Sequence, residues 1–172
     1  MDSKIERALR DGGAVRLLSL EVNGQRQQRA VAPDITLLDF LREELGLTGS
    51  KRGCDLGECG CCAVLVDGRP MLACLLPAAD LEHSAITTIE GIAEGATLHP
   101  LQQAMIDEGA VQCGYCTPAM VINGVHLFAG ESRPDAEAIR NCIASTSCRC
   151  TGYNRIVQAF ERTAERLAEG RR

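Results

Sequence analysis

The sequence predicts an α+β fold: a β-grasp domain over residues 16–90, a four-helix bundle over 91–172, and an N-terminal extension over 1–15. Three observations point there. Two Asx-Gly pairs, Asn23-Gly24 and Asp67-Gly68, each sit between strand-like runs, the strongest short hairpin signal. An amphipathic segment lies between those hairpins. From about residue 91 the pattern turns helical, and the segments carry their own start and stop signals.

The elements follow in order. "AVRLLSLEVNGQRQQRAV" supplies the first hairpin. "PDITLLDFLREELG" predicts an amphipathic helix: Thr36 and Asp39 form a capping-box pattern, Leu37, Leu38, Leu41 and Leu45 an apolar face, and Gly46 a stop. "AVLVDGRPMLAC" is the second hairpin, and "AITTIEGI" reads as a closing strand. Hairpin, helix and further strands describe a grasp-like α+β domain. Its boundary falls near residues 88–96, with no long linker. In "HPLQQAMIDEG", Pro100 stands at a first helical position before a Gly stop. "TPAMVINGVHLFAG" repeats the device, with Thr117 as cap and Pro118 next. "RPDAEAIRNCIAS" and "GYNRIVQAFERTAERLAEG" complete four helices on short loops, the last with Ile156, Phe160 and Leu167 at helical spacing.

Composition narrows the chemistry. Hydrophobic residues make up 45% of the 172, but aromatics only 3%, with no Trp. A core without large rings buries less area per residue, so an inorganic staple would help small domains fold. A net charge of −5 with no basic run argues against a nucleic-acid partner. No apolar stretch approaches the ~20 residues of a membrane span. The charged start "MDSKIERALRDGG" lacks an apolar signal core, so the expected location is cytoplasmic. Ten cysteines in a reducing compartment point to metal rather than disulfides.

The first half carries "GCDLGECGCC", four cysteines within nine residues. Cys54-x4-Cys59-x2-Cys62, followed after eleven residues by Cys74, is the plant-type [2Fe–2S] spacing. A loop that wraps a cluster with its N–H groups toward sulfur needs residues that tolerate close approach, and Gly53, Gly57 and Gly60 supply them. A four-cysteine zinc knot usually shows two C-x2-C pairs, which this half lacks. Cys61 fits no ligand spacing and reads as a small buried hydrophobe. In the second half, Cys113-x2-Cys116 and Cys148-x1-Cys150 form a set that alone could also hold zinc. Both pairs precede predicted helix starts, whose positive dipole ends favour an anionic tetrathiolate cluster. Cys142, beside Ile143 on a helical face, reads as core packing.

"GCDLGECGCCAVLVDG", "LHPLQQAMIDEGAVQCGYCTP" and "CRCTGYNRIVQA" together resemble the iron–sulfur small subunit of the molybdenum hydroxylases, the xanthine dehydrogenase and aldehyde oxidoreductase family. The resemblance runs from about residue 16 to 162. It implies a plant-ferredoxin-like domain and a four-helix domain, each with one [2Fe–2S] cluster. The ligands would be Cys54, Cys59, Cys62 and Cys74, then Cys113, Cys116, Cys148 and Cys150. It implies a large partner subunit carrying molybdopterin and molybdenum, and often a medium subunit with FAD, in a hetero-oligomer such as a dimer of heterotrimers. Substrate would be hydroxylated at molybdenum with oxygen from water, and electrons would leave singly through the clusters. The second cluster would be nearer the molybdenum, with Gln112 and Cys150 touching the pterin. From the residues alone, Gln112 reads as a polar cap on a cluster loop. The chain departs from the family at Cys61 and Ala63, where Ala and Thr are usual, at Ala119, where Gly is usual, and in "IASTSCRC".

His83, His99 and His126 form no ligand spacing; His99 reads as a helix cap or interface residue and His126 as packed or surface. Lys51-Arg52 reads as solvated. No phosphate-binding loop, dinucleotide fingerprint or nucleophile elbow occurs, so no catalytic residue is expected on this chain. Two rivals remain at this point: a free-standing two-cluster electron carrier, and a zinc-stapled interaction module.

Overall fold

The computed structural model describes residues 15–131 and 133–169, so the expected extension over 1–15 lies, except for Val15, outside the described residues. Strands β1 (Arg16–Val22) and β2 (Gln25–Val31) form the first hairpin. Asn23 and Gly24 turn it with φ of 51° and 73°, the left-handed pair that a two-residue hairpin loop requires. Strands β3 (Ala63–Val66) and β4 (Arg69–Leu72) form the second, and β5 is Ala85–Thr87. The sheet order is β2-β1-β5-β3-β4. Its β1–β5 pairing is parallel and the others are antiparallel.

The first helix, α1, differs from expectation. It runs as an α-turn over Leu37–Asp39 and then widens into a π-helical turn over Phe40–Glu44. The Thr36 hydroxyl caps it by accepting from Asp39 N at 3.1 Å. The carboxylate does not reach back to the Thr36 backbone as a full capping box would; it accepts from the Thr36 hydroxyl instead. In the wider turn, Leu45 N bonds Phe40 O at 3.2 Å and Leu47 N bonds Leu41 O at 2.8 Å. Phe40 and Leu41 are thereby both fully buried with Leu37 and Leu38.

The expected closing strand is short. After Thr87 the Asn23 side chain replaces a strand partner, accepting from Thr88 N at 2.9 Å and donating to Thr88 Oγ1 at 3.0 Å. The chain then tightens into a 3-10 turn at Ile89–Gly91.

Four helices follow: α2 (Pro100–Asp107), α3 (Thr117–Gly130), α4 (Ala136–Ala144) and α5 (Asn154–Glu169). His99 caps α2, its Nδ1 accepting from Leu101 N at 3.2 Å, and burial lowers its pKa. Thr117 is the first residue of α3, not its cap. That position falls on Cys116, whose side chain makes no cap bond. The last helix starts at Asn154, after Tyr153 takes φ 67°. Among the described residues no helix is long and apolar enough to cross a membrane.

Strand β3 joins the halves. All four of its residues are buried, as a continuous apolar run demands when both faces are covered. Val64 and Val66 face the core of β1 and α1, while Ala63 and Leu65 pack on Ala119 and Ile122 of α3. A fully buried Leu or Ile contributes roughly 1.5–3 kcal/mol, so this seam fixes α3 against the sheet.

Candidate metal centres

The first cysteine set is almost wholly local. Cys54 and Cys59 lie in the loop between α1 and β3, Cys62 directly precedes β3, and Cys74 sits in the 3-10 turn after β4. The turn is tied to the loop where Ala73 N bonds Cys62 O at 3.3 Å. Asp55 and Gly57, with φ of 56° and 81°, curl the loop so that its N–H groups face inward. Leu56 N and Cys59 N both donate to Cys54 Sγ at 3.4 Å. A Cβ on Gly53 would stand 2.6 Å from Cys59 Sγ, so only glycine lets the backbone approach that sulfur. The thiols lie within reach of one another: Cys54 and Cys61 of Cys59, and Cys62 of Cys74.

The second set is assembled from two turns. Cys113 and Cys116 stand between α2 and α3, Cys148 and Cys150 between α4 and α5. Cys150 Sγ lies 3.4 Å from Cys113 Sγ, and Cys116 associates with Cys148. Tyr153, to which the sequence assigned no role, folds back so that its oxygen accepts from Cys148 N at 2.7 Å. Thr151 Oγ1 lies 3.0 Å from Cys148 Sγ and accepts from Tyr153 N at 3.1 Å. The spacing signalled neither contact, and the tyrosine's goes with the left-handed backbone at Tyr153, φ 67°. Cys113, Cys150 and Gln112 are exposed on one lip of this set, while Cys116 is buried.

In each set at least one thiol is lowered and another raised. Hydrogen bonds from Leu56 N and then Cys59 N lower the Cys54 thiol to about 7. The Tyr115 N–H and the Cys150 thiol lower Cys113. Burial raises Cys62 to about 11 and Cys116 to about 12. At Cys148 burial acts upward, but the hydrogen bonds from Thr151 prevail and the net shift is down. Sharing a hydrogen bond with Cys113 raises Cys150.

Cys61 and Cys142 are the two cysteines outside the predicted ligand spacings. Cys61 is 4% exposed, with its thiol donating to Cys59 O at 3.6 Å, and burial raises it to about 12. It is thus a buried donor as well as a small hydrophobe. Cys142 packs on the helical core, and burial raises it to about 11. Lys51 and Arg52 are engaged rather than free: Lys51 Nζ donates to Thr48 O at 2.7 Å, and Arg52 pairs with Asp39 and Asp55.

These residues fit two-iron clusters. The donors are thiols only and the loops offer N–H groups to sulfur, as clusters held by four thiolates require. Among the described residues no three His, Cys, Asp or Glu side chains converge as ligands of one mononuclear ion do.

Residues 20–86 match the family described as a 2Fe-2S iron-sulfur cluster binding domain, and residues 88–161 the family described as a [2Fe-2S] binding domain. Over 148 residues the chain is 44% identical to one of the subunits of the nicotinate dehydrogenase of Pseudomonas putida, spanning 86% of this chain and 94% of that one. The chain belongs to the iron–sulfur small subunits of the molybdenum hydroxylase family. It is 41% identical over 151 residues to the nicotinate dehydrogenase small FeS subunit of Eubacterium barkeri, spanning 88% of this chain and 96% of the relative. The solved quinoline 2-oxidoreductase of Pseudomonas putida 86 superposes with a TM-score of 0.85 at 37% identity, over 91% of this chain and 98% of that one. As a member of this family the chain is an electron-transfer subunit with two 2Fe-2S domains, one component of a multi-subunit oxidoreductase.

Proposed function

We propose that the chain divides into a β-grasp ferredoxin-like domain over 16–90 and a four-helix domain over 91–172, each holding one [2Fe–2S] cluster. Cys54, Cys59, Cys62 and Cys74 would hold the first. Cys113, Cys116, Cys148 and Cys150 would hold the second. The observation that carries this reading is the gathering of Cys54, Cys59, Cys62 and Cys74 on one loop and the turn tied to it, and of Cys113, Cys116, Cys148 and Cys150 on two facing turns. When bound, each cluster supplies reversible one-electron redox chemistry.

The protein's own part is to hold and shield. The inner cysteines, Cys62 and Cys116, anchor each site in a packed core where water is excluded. The N–H groups of Leu56 and Cys59 stabilise negative charge at Cys54, and Thr151 does so at Cys148. The exposed lip of Gln112, Cys113 and Cys150 would face the pterin of a large molybdenum-bearing partner, leaving the first site on the side toward a medium FAD-bearing partner. The whole would be a cytoplasmic hetero-oligomer, built as a dimer of heterotrimers. The relatives named for nicotinate and quinoline make an N-heteroaromatic compound the substrate class to assay first.

The test is the composition of the natively purified complex. Iron and acid-labile sulfide should match two [2Fe–2S] clusters per copy of this chain, with molybdenum and flavin on co-purifying larger chains. Reduction should give two distinguishable paramagnetic signals, because the two environments differ in exposure. Iron sufficient for only one cluster in fully loaded protein would overturn the two-site assignment.

A further inference from the structure

The first loop carries a fifth thiol that a four-ligand site leaves over. Cys61 lies two residues after Cys59, and Gly60 between them takes a left-handed φ of 71°. Both side chains come to the same neighbour. A Cβ built on Gly53 would stand 2.6 Å from Cys59 Sγ, 3.4 Å from Cys59 Cβ and 3.7 Å from Cys61 Cβ. The two thiols lie within hydrogen-bonding reach of each other. Cys62 turns instead into the sheet core, where Cys74 packs beside it and Cys61 does not. The Cys61 thiol donates to Cys59 O at 3.6 Å and to Ser147 O at 4.0 Å. Both bonds are long and come from a weak donor, so little holds that sulfur in place. The backbone around it is fixed. Lys51 N donates to Cys61 O at 3.1 Å, and Ser147 N to Cys59 O at 2.9 Å. Gly60 is pressed against the turn at Ser145 and Thr146, where a Cβ would stand 2.1 Å from Ser145 O.

We infer that Cys61 is a reserve ligand of the first site, placed to take over from Cys59 at iron. This rests on the two-cluster reading above. Because the backbone is pinned, the exchange is a rotation of one side chain about its Cα–Cβ bond. Burial does not bar it, since Cys62 and Cys116, both assigned as ligands, are buried like Cys61. Cys62 and Cys74 meet on the sheet side of the loop, so Cys61 does not stand in for either. In the exchange Cys61 gives its proton to the departing Cys59 sulfur. One iron–sulfur bond breaks, one forms, and no electron changes hands. Where Cys59 has been substituted, the proton goes to solvent.

The experiment compares the natively purified complex in four forms: wild type, Cys59→Ala, Cys61→Ala and Cys59→Ala/Cys61→Ala. Alanine cannot bind iron, so iron retained in the first site of Cys59→Ala has another residue as its ligand. Both single variants should keep wild-type iron, and the double variant should keep half of it. In Cys59→Ala the paramagnetic signal of the first site should shift, because a ligand has changed, while that of the second stays as it was. A merely packing role for Cys61 would leave Cys59→Ala with half the iron, and that result would overturn the inference. Wild-type iron in the double variant would overturn it equally. If Cys59→Ala does not assemble, Cys59→Ser, closer in size, makes the test beside Cys59→Ser/Cys61→Ala. Ligation by Cys61 makes the first signal depend on Cys61, whereas identical first signals in these two variants would overturn the inference. One cluster's worth of iron in the wild-type complex would instead overturn the two-cluster reading.

Discussion

The two cysteine sets share a plan and differ in how they are built. In each, an inner cysteine (Cys62 or Cys116) is buried and its thiol is raised, while an outer one (Cys54 or Cys113) is lowered by backbone N–H groups. The first set comes from one loop and the turn after the next hairpin, and its inner member belongs to the sheet core with Val64 and Ala73. The second exists only because α2–α5 bring two distant turns together. That packing is braced where Arg166 meets Asp107 at 2.6 Å and Arg155 donates to Glu108 O at 2.9 Å. A locally encoded site is tied to the stability of its domain, whereas a packed-together site is tied to the relative placement of its helices.

The largest effect should come from removing an inner, core-embedded cysteine of the proposed ligand sets. Cys62→Ser should halve the iron content and lower the melting temperature, because it empties the first site and puts a hydroxyl at a position 3% exposed. Cys113→Ser should also halve the iron, but with a smaller fall in melting temperature, since that side chain is exposed. Equal melting temperatures for the two variants would break the contrast between the sites.

Thiol reactivity sharpens the distinction between outer and inner members. In the folded, reduced, iron-free chain at pH 7, Cys54 with a pKa of about 7 is roughly half thiolate, whereas Cys61 and Cys116, at about 12, are almost wholly protonated. Alkylation followed by peptide mapping should label Cys54 well before Cys61 or Cys116. The gap should narrow as pH rises toward 12, because only the inner thiols still have protons to lose. Simultaneous labelling at neutral pH would remove the outer–inner distinction.

The smallest effect concerns Cys61, which is assigned to neither set. Cys61→Ser should leave iron content and both paramagnetic signals intact, at a cost of about 1 kcal/mol in chemical unfolding. Loss of the first cluster in this variant, with Cys62→Ser still loaded, would exchange their assigned roles.

Local chemistry made much of the chain legible from its sequence. Both hairpins follow from Asn23-Gly24 and Asp67-Gly68, since those residues accept the left-handed turn that few others tolerate. Pro100 marks the start of α2 for an equally local reason, whereas the cap of α4, Asp135, went unread. The spacing of Cys54, Cys59 and Cys62 put three thiols in one loop, because near neighbours in sequence cannot be far apart in space. The sequence alone could not show that α1 widens after Asp39, because the wider turn goes with burying Phe40 and Leu41 together. Nor could it show that Tyr153 reaches back to Cys148, or that Asn123 holds the turn pressed against Gly60. Those contacts join residues whose separation along the chain carries no periodic signal. Only the burial of β3 on both faces brings α3 and the first loop close enough to make the seam between the two cysteine sets.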